Sequence, residues 1–225
     1  MGVKPIRLKL SHLPRQQITM YTKGTLFRHT IVFVIVSFLY LYSSAALAYK
    51  VNKTKRGKTI KWNTHTVTYY VNTDGGPPGC LAAILAALEA WSNVASSSFR
   101  FVYGGPATST SYNVTDGVNL ICFTRMGNKA KVARNYVHWN ESGEVCDSDI
   151  VLNIDHKFSA AYSCPKNCYD VQNVLTHELG HTLSLGDLYK KSHAGKTMYG
   201  RGFKGDTKKR TLEKDDMDGV AHLYP

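Results

Sequence analysis

The chain has 225 residues, 43% of them hydrophobic, and a formal net charge of +12. That is enough for one domain with a sizeable core and too little for two large ones. The positive balance does not make it a nucleic-acid binder, because no recognisable binding module accompanies the charge.

In chain order, residues 1–28 hold six Lys or Arg and no acid, Ile31–Tyr42 form an apolar run, and Ala46-Leu47-Ala48 is a small-residue cleavage site. This is the layout of a signal peptide, so residues 1–48 are expected to direct export to the extracellular space. Met20 is an alternative start that gives a signal of more usual length. The competing reading is a retained membrane anchor, since the run and its flank approach spanning length. Cleavage after Ala48 removes six of the 28 basic residues and none of the 16 acidic ones, lowering the net charge to about +6. Much of the basic character therefore belongs to export. Lys50, Lys53, Lys55, Arg56, Lys58 and Lys61 crowd the segment 49–61, and Lys190 to Arg210 is basic again. Such runs are either solvated or hold a protein to an anionic cell surface.

The expected domain covers residues 62–225. His65–Asn72 is β-rich and ends at the turn cluster Asp74-Gly75-Gly76-Pro77-Pro78. Leu81, Ile84, Leu85, Leu88 and Trp91 then recur at spacings of three and four, which predicts an amphipathic helix over Cys80–Ala95. Phe99–Tyr103, Val118–Thr124, Lys131–Trp139 and Asp149–Ile154 read as strands between Gly, Asn and Ser clusters. A second helix is predicted from an N-cap near Asp170 to Leu185, with Gly186 as its stop. Thr211 is the predicted cap of a last helix, Leu212–Leu223, with Glu213, Asp215 and Asp216 in its first turn.

All five cysteines, Cys80, Cys122, Cys146, Cys164 and Cys168, follow the export segment, where an oxidising compartment permits disulfides. Cys164 and Cys168 are close enough to close a short loop, and Cys122 and Cys146 pair if their strands are neighbours. A cysteine zinc site lacks its second close pair.

The second helix carries the sequence HELGHTLSLGD, His177 to Asp187. Residues four apart share a helix face, so His177 and His181 can offer ring nitrogens to one ion. Glu178 falls beside them, placed to reach a metal-bound water without coordinating the metal, as a general base requires. Val174, Leu175, Leu179, Leu183 and Leu185 give the segment an apolar side, which marks a buried helix carrying its histidines into a cleft. The pattern implies a zinc-dependent hydrolase. No serine nucleophile turn is visible, and Cys122 lies in no nucleophile motif.

These residues resemble the matrixin-like metallopeptidases of the metzincin clan. The likeness runs from Lys61-Trp62 through Val67-Thr68-Tyr69, Ala90-Trp91, Asp149-Ile150-Val151, the HELGH helix and Met198-Tyr199 to Leu212, Asp215-Asp216, Gly219 and Leu223-Tyr224. It implies an α+β fold with a five-stranded twisted mixed sheet and three helices, and a zinc cleft between an upper part and a smaller C-terminal part. It also implies a turn at Met198 beneath the zinc, braced by Asp215 and Asp216. Two positions depart from the family pattern: Ser184 stands where a turn glycine is usual, with Gly186 as its expected substitute, and Asp187 stands where the third ligand is usually His. Asp187 is the expected third ligand, with His193 as its rival.

The short cysteine-free segment Tyr49–Lys61 offers no cysteine latch for latency. The loops that hold structural zinc and calcium in relatives have no clear counterpart. Asp147, Asp149, Asp155 and His156 could bind an ion but are read first as solvated or capping residues, and Ca2+ stays an open alternative without support. The implied reaction is hydrolysis of a protein or peptide substrate by a secreted monomer, with specificity set by Leu188–Gly202. The alternative is a silent zinc-fold binding module held to a cell surface by its basic segments, against which an intact Glu178 argues.

Overall fold

The computed structural model describes residues 49–225, so the expected export segment, the alternative start at Met20 and the anchor reading all lie outside the described residues. Five strands form one sheet: β1 (Thr66–Asn72), β2 (Arg100–Pro106), β3 (Asn119–Thr124), β4 (Ala133–Trp139) and β5 (Val145–Asn153). Their order is β2-β1-β3-β5-β4, parallel throughout except for β4, which runs antiparallel to β5 at the edge. Among the described residues there are three α-helices, α1 (Cys80–Ser92), α2 (Val171–Thr182) and α3 (Lys214–Leu223). The fold is the expected α+β arrangement of a mixed five-stranded sheet with three helices.

Alternation along the strands decides which face each side chain serves. Ile121, Phe123, Ile150 and Leu152 point to the main core with Ile84, Leu88 and Trp91 of α1 and Leu175 and Leu179 of α2. Leu120, Cys122 and Val151 point the other way, into a small cluster closed by Ala107, Tyr112 and Tyr136. Two aromatics tie the core to the back of α2: Trp91 Nε1 donates to the Thr176 carbonyl at 2.8 Å, and Trp62 Nε1 to that of Thr182 at 3.0 Å.

Several boundaries differ from expectation. β5 begins at Val145, four residues before Asp149, because Asp147 and Ser148 are buried and paired with His138 and Val137 of β4. Polar residues at these two buried positions, one on each face, hide the strand from a hydrophobic pattern. The last helix is capped by Glu213, not Thr211: Glu213 and Asp216 form a reciprocal capping box. The expected bridge between Cys164 and Cys168 is not formed. The Cys164 thiol turns to the Cys168 carbonyl at 3.5 Å and that of Cys168 to Asn167 Oδ1 at 3.5 Å. Cys122 and Cys146 do lie on neighbouring strands, but Cys122 is opposite Val151, so these thiols are free as well.

The basic segment 49–61 is strapped to the domain through its backbone. Val51 bridges to Leu185, Asn52 N donates to the Ser184 carbonyl at 2.8 Å, and Gly186 N donates to that of Lys50 at 2.7 Å. Its lysines remain exposed. Among the described residues no helix is long and apolar enough to cross a membrane.

Candidate metal centre and cleft

Helix α2 starts where Asp170 accepts the Asn173 N–H at 2.8 Å. Arg210 holds the same carboxylate, through Nε at 2.9 Å and Nη2 at 2.5 Å. Val171, Leu175 and Leu179 bury one side of the helix. Its interior glycine is dictated by packing: a Cβ on Gly180 would lie 2.2 Å from the Met198 sulphur and 3.1 Å from Trp91.

The helix ends at Thr182, earlier than predicted, and the turn is made by Ser184, not Gly186. Ser184 adopts the left-handed conformation with φ 65°. Ser184 N then donates to the His181 carbonyl and Leu185 N to that of Gly180, each at 2.9 Å, which is a Schellman closure with serine in place of glycine. Gly186 serves another need, since a Cβ there would meet Asn52 Oδ1 at 2.9 Å and Lys50 Cδ at 3.0 Å in the strap.

This early turn brings Asp187 back to the helix. Asp187 Oδ1 lies 3.3 Å from His177 Nε2 and 3.6 Å from His181 Nε2. Among the described residues these three form the sole group with metal-binding spacing, their ligand atoms all within 4.8 Å of one another. The rival His193 is not part of it; it falls in a 3-10 turn, Lys191–His193. The other ring nitrogens are spoken for: His177 Nδ1 donates to the Thr197 carbonyl at 2.7 Å and His181 Nδ1 to that of Leu185 at 2.8 Å. Both Nε2 atoms are thereby left as acceptors aimed at a common point.

The group fits a divalent cation. Asp187 Oδ1 is buried with no hydrogen-bond partner, while Oδ2 accepts the Tyr189 phenol at 2.9 Å. Burial pushes the Asp187 carboxyl up, yet the adjacent His177 and His181 imidazoles and the Tyr189 phenol outweigh it and hold the group well below the usual carboxylate range. Burial, then the neighbouring His177, pulls the His181 imidazole down, which favours its neutral, ligating form. Two neutral imidazoles and a carboxylate oxygen are a donor set that zinc accepts.

Glu178 is buried beside the histidines and lines the cleft. Its backbone carbonyl accepts from Asn135 Nδ2 at 2.9 Å, a bond that ties α2 to the edge strand β4. Met198 is 1% exposed and packs under the helix. Asp216 braces its turn by accepting from Thr197 N at 2.9 Å and Met198 N at 3.2 Å. The structure divides the expected acidic pair, for Asp215 is ion-paired with the Lys196 side chain instead.

The remaining acids serve loops. Asp149 accepts from Leu120 N at 3.0 Å, Asp147 accepts from Gly117 N at 2.9 Å, and Asp155 pairs with Arg125 at 2.7 Å. Burial, then the neighbouring Asp149, pushes the Asp147 carboxyl up to about 6.

The cleft, about 1110 Å³, runs between β4 on one side and the loop wall of Tyr189 and Gly200–Phe203 on the other, with α2 beneath. Gly200 permits close approach there, since a Cβ would meet the Tyr189 ring at 2.6 Å and Asp187 Oδ1 at 2.9 Å. Sequence reasoning did not find Thr197, Asn135, Tyr189 or Lys209 at this site. Of these only Tyr189 carried a signal, two residues beyond Asp187. Lys209 is 6% exposed, and burial pulls its ammonium down to about 8.

Among solved structures, the chain is similar to high choriolytic enzyme 1, a hatching enzyme zinc-protease from the medaka fish Oryzias latipes. That match has TM-score 0.39 and 11% identity, covering 77% of this chain and 98% of that one. It is also similar to myroilysin, with TM-score 0.35 and 13% identity, over 73% and 82% of the respective chains. No curated protein sequence matches it. Residues 61–225, which contain the sheet, the three helices and the convergent ligand group, match the family described as Matrixin. The chain therefore belongs to the matrixin family and is a zinc metalloendopeptidase with a catalytic zinc and a protein or peptide substrate.

Proposed function

We propose that the chain is a secreted endopeptidase in which His177, His181 and Asp187 hold the zinc and Glu178 is the general base. The observation that carries this reading is the convergence of both Nε2 atoms on the unpartnered Asp187 Oδ1 beside a buried, cleft-lining Glu178. Zinc bound there supplies Lewis acidity, lowering the pKa of a coordinated water and polarising the scissile carbonyl.

The chain's own residues do the rest. The Thr197 and Leu185 carbonyls fix the two imidazole tautomers, and the Tyr189 phenol orients Asp187. Glu178 takes the proton of the attacking water and returns it to the leaving amine nitrogen. The open side of the edge strand β4 lines the cleft, so an extended peptide can add to the sheet there by backbone hydrogen bonds. Secretion rests on the basic lead, apolar run and Ala46-Leu47-Ala48 of the sequence. It predicts that protein recovered from the culture medium starts at Tyr49.

The test of the chemistry is Glu178→Gln, assayed on a quenched peptide library with zinc measured in parallel. Cleavage is expected to fall by about 10²-fold to 10⁴-fold while zinc is retained. Unchanged cleavage overturns the role of Glu178, and a zinc-loaded wild type that cuts no peptide favours a binding module.

A further inference from the structure

Lys209 and Arg210 are adjacent in one 3-10 turn, yet their charged ends are treated differently. Arg210 is fully engaged, with Asp170 and the carbonyls of Ala161 and Tyr162 as acceptors. Lys209 is anchored through its backbone, whose N–H donates to Asn173 Oδ1 at 2.7 Å in the first turn of α2. Its ammonium donates to the Tyr199 carbonyl. The other neighbour, His177 Nδ1 at 3.3 Å, already gives its hydrogen to Thr197 and so presents no lone pair. No carboxylate among the described residues forms an ion pair with Lys209, which leaves a buried ammonium with one acceptor for three N–H groups. Glu178, Asp187, Asp206 and Asp216 act on it only through space, and a buried ammonium short of direct acceptors is unfavourable unless something completes its shell.

The cleft is where that partner can come from, because Lys209 lines it. Lys53, Lys131, Arg134 and Arg201 line it too, and the only carboxylates on its walls are Glu178 and Asp187. Both of these are committed, one to proton transfer and the other to the metal. Four exposed cations and one buried ammonium around the cleft, against two carboxylates, favour an anionic occupant.

We infer that the cleft selects acidic peptides, with Lys209 as a specificity-determining residue that receives a substrate carboxylate next to the scissile bond. The inference rests on the peptidase reading above and names its substrate class. The purely structural role for Lys209, holding the Tyr199 carbonyl, predicts no dependence on substrate charge.

The test uses ten-residue peptide pairs that differ only by Glu or Gln at one position flanking the cleaved bond. Wild-type kcat/KM is expected to be about tenfold or more higher for the Glu peptide. That ratio falls toward one in Lys209→Met and is kept in Lys209→Arg. The same pairs, titrated by fluorescence anisotropy against zinc-loaded Glu178→Gln, show the same preference in Kd, weakening as salt rises. Cleavage without a Glu preference overturns the inference and leaves the peptidase reading intact. Glu-selective binding without any cleavage overturns the peptidase reading and supports the selectivity. If Lys209→Met loses zinc, the wild-type ratio and the Lys209→Arg ratio still decide, because a wild-type ratio near one is incompatible with the proposal.

Discussion

The two walls of the cleft are built on opposite terms. On the helix side every chemical group is placed by short-range geometry and close packing: His177 and His181 one turn apart, Gly180 against Met198, and Asp187 returned by the turn at Ser184. On the loop side, residues 188–210 carry exposed Tyr189, Arg201 and Phe203 and are held at a few points, chiefly Asp216 on the Met198 turn and Arg210 on Asp170. The chemistry sits on a close-packed element, while the exposed side chains of the loop are left to recognition, apart from Thr197 and Tyr189, which steady two of the proposed ligands.

Cutting the loop wall from its support is expected to have the largest effect. Asp216→Ala strips an acceptor from the N–H groups of Thr197, Met198 and Glu213. About 3–5 kcal/mol of stability should go with it, read by urea unfolding, since buried donors are left unpaired. A loss under about 1 kcal/mol would mean that the loop is held elsewhere. The helix wall has no slack, so Gly180→Ala should cost about 1–3 kcal/mol through its clash with Met198. Full tolerance of that methyl would show that the wall yields.

Tyr189→Phe reaches from the loop to the metal. Removing the phenol that orients Asp187 should weaken zinc binding by about tenfold, measured by competition with a chelator, with little change in unfolding. The smallest effect is a gain. Ser184→Gly relieves a left-handed serine, and about 0.5–1 kcal/mol of added stability is expected in thermal unfolding, with the zinc affinity unchanged. A loss there would show that the buried serine side chain contributes more than its backbone strain costs.

The parts of this site that depend on local spacing were legible in the sequence. His177, Glu178 and His181 announce themselves because helix periodicity alone puts them together, and Asp187 follows at a distance that a tight turn can cover. What was not legible depends on residues far apart. Lys209 is buried because a distant turn folds back against the first turn of α2, and a lysine in a basic run reads as solvated. Thr197 acts through its carbonyl, which no side-chain pattern reveals. The helix end was misplaced because serine gives no sign that it will take a glycine conformation, and β5 was shortened because the buried Asp147 and Ser148 in its first half are polar. The strap 49–61 read as a solvated basic run, yet its backbone closes on the very turn that presents Asp187.

Two imidazoles and the Asp187 carboxylate are proposed to hold the metal. Zinc-edge X-ray absorption on the zinc-loaded protein tests this most directly. Scattering from two histidine rings with oxygen completing the coordination is expected, and a spectrum unchanged in His193→Ala. Three histidine rings in the wild type, falling to two in His193→Ala, would contradict it.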